Sequence, residues 1–181
     1  MSQTIEDNVP APASPVVAFL PWIAVPAGIV VLDQLLKVLM VMWIGPDADR
    51  HHVDLLGESI GFEYVENTGA AFGVMTSATG ALAAVSLLIA AGGVFMLWRE
   101  HRRDPVATLA IALVVGGALG NVIDRIYRGY VVDFVAVGAF PRFNLADSAI
   151  TIGVLLLLAA MVRESRQQPV PAGAEEEKTH G

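Results

Sequence analysis

Few ionisable side chains interrupt the apolar body of this chain: Asp33, Lys37, Asp124 and Asp147. Ionisable residues within apolar spans are costly and are usually kept for function. Two carboxylates within a few ångströms of each other cannot both ionise easily, so one keeps a proton near neutral pH. The ionised member can take a proton from water. The protonated member polarises a peptide carbonyl and later feeds the leaving amine. Such a pair titrates as a unit and needs no cysteine, metal or nucleotide. Asp124 and Asp147 are the candidates, with Asn67 as amide support.

Plainer roles stand beside this one. Asp124 precedes Arg125, and a local ion pair at a helix end is the lesser reading there; Asp147 precedes Ser148 and reads as a helix N-cap. Asp33 and Lys37 share one helix face at i, i+4 and pair with each other, which makes them structural support. Asn67-Thr68-Gly69 has the composition of a turn. Asp133 lies in a loop as an ordinary residue or a hydrogen-bond anchor. Gly116-xxx-Gly120 reads as a close-packing face. His51 and His52 have no third ligand, so no metal is expected. A Ser–Lys dyad is excluded because Lys37 is the one lysine before the C-terminal tail and no serine shares its helix.

The elements that must position these residues are apolar helices. Stretches 16–32, 80–98 and 105–123 hold no ionisable residue, and 148–162 adds a fourth. About 20 apolar helical residues cross a bilayer core, so an all-α membrane protein with four transmembrane helices is expected. Helix 1 runs from near Val16 to about Ile44, where Gly45 and Pro46 stop it; Pro21 and Pro26 kink its first half or delay its start. Residues 45–79 form a small interfacial segment between helices 1 and 2, with a short β-strand over 62–65. Helix 2 covers about 80–98. Helix 3 starts at Pro105, a favourable first-turn position, and runs to about Asp124. A loop then leads to helix 4, from about Phe143 to Val162. Residues 1–15 and 167–181 are polar, acidic tails expected to be disordered, which leaves 16–166 as the membrane domain.

Composition agrees. The 181 residues are 55% hydrophobic and 16% charged, with mean hydropathy +0.60, against roughly 25% charged in a soluble domain. Eleven basic and 18 acidic residues give a formal charge of −7, so no basic field exists to hold nucleic acid. The absence of cysteine excludes disulfides, thiol catalysis and thiolate metal sites. Arg99, Arg102 and Arg103 fill the turn between helices 2 and 3, and Arg163 and Arg166 follow helix 4, whereas segment 45–79 carries Arg50 alone. The positive-inside rule then places both termini and that turn in the cytoplasm. Arg125, Arg128 and Arg142 dissent and read as functional or interfacial. Whatever the orientation, Asp124, Asp147 and Asn67 belong to connections that open on one face.

Four blocks, in order, resemble the lipoprotein signal peptidase (signal peptidase II) family. They are Asp33-Gln34-Leu35-Leu36-Lys37, Asn67-Thr68-Gly69-Ala70-Ala71-Phe72-Gly73, Gly120-Asn121-Val122-Ile123-Asp124-Arg125 and Phe143-Asn144-Leu145-Ala146-Asp147; Gly129-Tyr130-Val131-Val132-Asp133-Phe134 also fits. The resemblance covers roughly residues 30–165. It implies an aspartic endopeptidase of the bacterial inner membrane, multi-pass, with cytoplasmic termini and a site toward the periplasm. The implied substrate is a prolipoprotein, cut before its diacylglyceryl cysteine, with membrane lipids around it and no nucleic acid, cofactor or metal. The chain is expected to act as a monomer. Carried over by motif, Asp124 and Asp147 would be the catalytic dyad; Asn67, Gly69, Asn121, Arg125 and Asn144 would bind substrate or support the site; and Asp33, Lys37 and Asp133 would give structural support. The competing class is a small proton- or ion-coupled transporter built on intramembrane carboxylates. Against it, the carboxylates gather at one face and no inverted repeat is visible. A purely structural assembly subunit would leave the Asn/Asp blocks without purpose.

Overall fold

The computed structural model describes residues 15–49, 51–57, 59–69, 78–100 and 104–167. The expected tails, the 70–77 part of the interfacial segment with Phe72, and Arg102 and Arg103 lie outside these residues. The described residues form four helices, α1 (Pro15–Ile44), α2 (Ala78–Glu100), α3 (Pro105–Tyr127) and α4 (Leu145–Gln167), and three strands, with β1 (His52–Asp54) and β2 (Ile60–Asn67) between α1 and α2 and β3 (Val131–Val137) between α3 and α4. Each helix contains a span long and apolar enough to cross a membrane, with mean hydropathy between 1.9 and 2.2. α1 runs unbroken through Pro21 and Pro26 rather than starting late, and α4 continues past Arg163 and Arg166.

α3 is the hub. Its apolar window is 61% buried, against 11–22% for the other three, because α1, α2 and α4 all pack on it. Glycines permit the close approach. A Cβ on Gly116 would lie 2.8 Å from Ile29 Cβ of α1, and one on Gly117 would lie 2.3 Å from the Ala146 carbonyl oxygen of α4. Gly116 and Gly120 do form the expected packing face, both against α1. The outer helices turn Leu35, Leu39, Met42, Leu88, Leu155 and Met161 outward, the inside-out arrangement natural to a lipid solvent.

A three-stranded antiparallel sheet with β2 central caps one end of the bundle. β2 contains the expected strand over 62–65. β3 corrects the expectation of a plain loop between helices 3 and 4: Val131, Val132 and Phe134 are buried, and the β-branched run favours an extended chain. Gly129, at φ 80°, turns the chain from α3 into β3. Side chains alternate across a strand, so Phe134 and Asp133 point to opposite faces. Phe134 meets Phe62, which meets Trp43 at the end of α1 (centroids 6.4 and 5.9 Å); Asp133 turns to the other face. The β2–β3 register slips between Phe62 and Val65.

Candidate active site

Where α1 crosses α3, Lys37 is buried without any exposure, and its ammonium reaches Asp33 Oδ2 at 2.8 Å, Asp124 Oδ2 at 2.9 Å and Asn121 Oδ1 at 3.0 Å. Asp33 Oδ1 accepts from the Ala146 amide of α4 at 3.0 Å. Asp124 Oδ2 also accepts from the Val132 amide at 3.1 Å, and its Oδ1 receives Gln34 Nε2 at 3.2 Å and Arg128 Nε at 3.3 Å. Both oxygens of Asp124 are thus filled, and the residue is 0% exposed. This corrects the expected Asp124–Arg125 ion pair, since the ion partners of Asp124 are Lys37 and Arg128. Among the described residues no direct hydrogen bond joins Asp124 to Asp147, whose Oδ1 is taken by Asn121 instead.

Asp147 lies one turn into α4. Asn144, immediately before the helix, receives the Asp147 backbone N–H on its Oδ1 at 2.9 Å, while its own backbone N–H, a donor distinct from its side-chain Nδ2, donates to Asp147 Oδ2 at 3.2 Å. These reciprocal bonds satisfy two otherwise orphaned helix N-terminal donors. Asp147 is therefore the third helical residue answering the cap, not the cap itself. Its Oδ1 accepts from Asn121 Nδ2 at 2.7 Å. The Asn144 amide nitrogen donates onward to Asp133 Oδ1 at 2.7 Å and to Asn121 Oδ1 at 3.1 Å. Asn67 Nδ2 donates to Asp133 Oδ2 at 2.8 Å, and its own Oδ1 is held by the Gly69 amide at 2.8 Å. Gly69 takes φ 76°, which closes this turn without a Cβ penalty. One residue, Asn144, thus touches both Asp133 and Asp147.

Two adjoining clefts share Asn67, Pro141 and Arg142: one of about 370 Å³ is lined by Asp133 and Gly69, and one of about 590 Å³ by Asp147, Phe140, Phe143 and Ile152. Asp124 lines neither. Arg142, expected to be functional or interfacial, is tied to Glu63 of β2 at 2.6 Å and to the carbonyls of Gly138 and Phe140. Arg125 Nη1 reaches the Asn121 carbonyl at 3.5 Å, and its Nε is buried without a partner. Burial pushes the Asp133 carboxyl up to about 6; the Asn67 and Asn144 amides and, more weakly, the Lys37 charge oppose the shift, and the Asp147 charge adds to it. Among the described residues no group of three His, Cys, Asp or Glu side chains could hold a metal ion.

The profile of the signal peptidase (SPase) II family matches residues 25–163, most of the chain and all of this site. The chain belongs to that family. Relatives of this signal peptidase II include the lipoprotein signal peptidase of Syntrophomonas wolfei, 36% identical over 140 residues that cover 77% of this chain and 91% of that protein. The lipoprotein signal peptidase of Halalkalibacterium halodurans is 39% identical over 145 residues, covering 77% and 90%, and that of an Azoarcus species is 37% identical over 163 residues, covering 84% and 89%. A solved bacterial membrane enzyme superposes with TM-score 0.70 at 28% identity, covering 83% of this chain and 94% of that one. None of these relatives supports the transporter reading. Signal peptidase II membership and the four apolar helices make the chain a multi-pass membrane protease.

Proposed function

We propose that this signal peptidase II is an aspartic endopeptidase that removes signal peptides from prolipoproteins, cutting before a diacylglyceryl cysteine, and that its two acids are Asp133 and Asp147. The observation that carries the assignment is the double grip of Asn144 on both carboxylates, together with the clefts on which both residues open. Asp124 then belongs with Asp33 and Lys37 as the buried ionic bolt between α1 and α3, and Asp133 leaves the supporting set.

In the reaction, the ionised acid takes a proton from water as the oxygen attacks the scissile carbonyl carbon, and the protonated acid gives its proton to the carbonyl oxygen. Collapse of the tetrahedral diol returns a hydroxyl proton to the second acid, breaks the C–N bond and moves the first acid's proton to the leaving amine. The pair ends as it began. Asn67, Asn121 and Asn144 hold the carboxylates, and an incoming peptide carbonyl would satisfy Arg125 Nε. The apolar wall of Phe140, Phe143 and Ile152 suits acyl chains beside a wet cleft. The sheet end of the bundle faces the periplasm, with both termini in the cytoplasm of a bacterial inner membrane, and one chain holds the whole site and works as a monomer.

The test is cleavage of a diacylglyceryl-cysteine signal peptide by detergent-purified protein, with chelator present and an unlipidated control. Asp133→Asn and Asp147→Asn should each lower kcat by about 10⁴-fold. Folded Asp124→Asn should stay within about tenfold of the parent, since it touches the site only through other groups. An inactive, well-folded Asp124→Asn beside an active Asp133→Asn would return the dyad to Asp124 and Asp147.

A further inference from the structure

The bolt and the dyad are joined by one amide. Lys37 has three N–H donors and three acceptors: two carboxylates and Asn121 Oδ1. Asn121 Oδ1 also accepts from Asn144 Nδ2 at 3.1 Å, so both of its lone pairs are filled and its nitrogen must face Asp147 Oδ1 at 2.7 Å. Flipping the amide would set N–H against the ammonium and against the Asn144 amide in a spot only 5% exposed; unmade bonds of that kind are expensive. We infer that Lys37, acting through the pinned amide of Asn121, is the positioning residue that holds Asp147 as the ionised base and leaves the proton on Asp133. The inference rests on the Asp133–Asp147 assignment.

The two acids differ in what feeds their donors. Asn67 and Asn144, which serve Asp133, are pinned by the neutral amides of Gly69 and Asp147. Asn121, which serves Asp147, is polarised by an ammonium. A donor strengthened by positive charge favours a carboxylate over a carboxylic acid. Asp133 is 1% exposed, whereas Asp147 opens on the larger cleft. The raised Asp133 carboxyl, at about 6, agrees with this division of roles. The charged groups that face Asp147 are Arg125 from α3 and Asp133 from β3, Arg142, which lines the same cleft, and Lys37 from α1, reached through Asn121. Of the cations among these, Lys37 is the one that reaches Asp147 through a side-chain amide.

Three enzymes test the relay on the lipidated peptide: Lys37→Met/Asp124→Asn, which leaves the net charge unchanged; Asn121→Leu, which keeps the shape but removes the donor; and their combination. Each of the first two should lower kcat about tenfold with KM unchanged and move the acidic limb of the kcat/KM profile up by about one pH unit. The limb belongs to the pair, and the combination should move it no further, since both changes break the same link. A folded Lys37→Met/Asp124→Asn enzyme with the parent's acidic limb, or shifts that sum in the combination, would overturn the inference. If the lysine variant does not fold, Asn121→Leu decides: a moved limb supports the relay, an unmoved one ends it. Should Asp133→Asn cut like the parent, the fault lies with the dyad assignment itself and not with the relay.

Discussion

Asp133 sits where one face of β3 meets the amides of Asn67 and Asn144, and that placement governs how rate depends on pH. Its carboxyl is raised from 3.8 to about 6 by burial. The protonated form that the assigned role requires is therefore present below that value and lost as pH rises through it. We expect kcat/KM of the free enzyme to fall about tenfold per unit above its alkaline limb, with that limb near 6; a profile flat to about pH 9 would put the acid elsewhere. The same sign holds for stability. The native state binds this proton more tightly than the unfolded chain, so the unfolding free energy declines between 3.8 and about 6. The sequence drew attention to Asp124 instead, because that residue is an ionisable group closing an apolar span and lies in the block from Gly120 to Arg125. What separates the two aspartates is the Val132 backbone amide on Asp124 and the Asn67 amide on Asp133, contacts made between elements and invisible in spacing.

At the scale of elements, the site depends on how closely α4 approaches α3. A side chain on Gly117 would drive into the Ala146 carbonyl, in the same helical turn as Asp147. Gly117→Leu should lower stability by about 1–3 kcal/mol and activity by about 100-fold through misplacement. Gly28→Leu, where the space around the glycine is open, should leave both near the parent; thermal unfolding in detergent beside a cleavage assay measures the pair. A Gly117→Leu enzyme of parental rate would show that α4 can shift without moving Asp147. The helices were legible because long apolar runs have few other fates. The sheet was half legible. β2 lies in a polar connection where alternation stands out, but β3 is a nearly continuous apolar run between two spans, and its pairing with β2 joins residues on opposite sides of the α2–α3 hairpin in sequence. The Asn144–Asp147 capping pair has a clear signature, an Asn answered three residues later by an acid, yet the same letters also carry the site.

For the whole molecule, orientation is the open physical variable, and the absence of cysteine makes it easy to measure. In intact cells, a membrane-impermeant maleimide should label His52→Cys on β1, at the sheet end. Ser165→Cys, near the end of α4 beside the Arg163–Asp104 ion pair, should label only after permeabilisation. The reverse pattern would invert the molecule and put the site in the cytoplasm. Arginine counts pointed to this orientation, although Arg125, Arg128 and Arg142 argued against it. The structure gives those three local duties: Arg128 holds Asp124, Arg142 holds Glu63, and Arg125 reaches the Asn121 carbonyl. Charges with such duties are poor topology markers.

The hub arrangement also bears on how the chain is made. Among the described residues α1 and α2 each pack more extensively on α3 than on each other, so until α3 is made the two have little mutual interface to settle into. During that interval the ammonium of Lys37 and the carboxylate of Asp33, one turn apart at 2.8 Å, have only each other, and α1 enters lipid as a helix whose two charges cancel locally. The partners that complete the cluster, Asn121 and Asp124, arrive at the far end of α3, and the Ala146 amide arrives later still with α4. Assembly of the bundle therefore waits on the third helix, and any chain interrupted before it would leave two spans adrift in the bilayer with a polar pair and nothing to join.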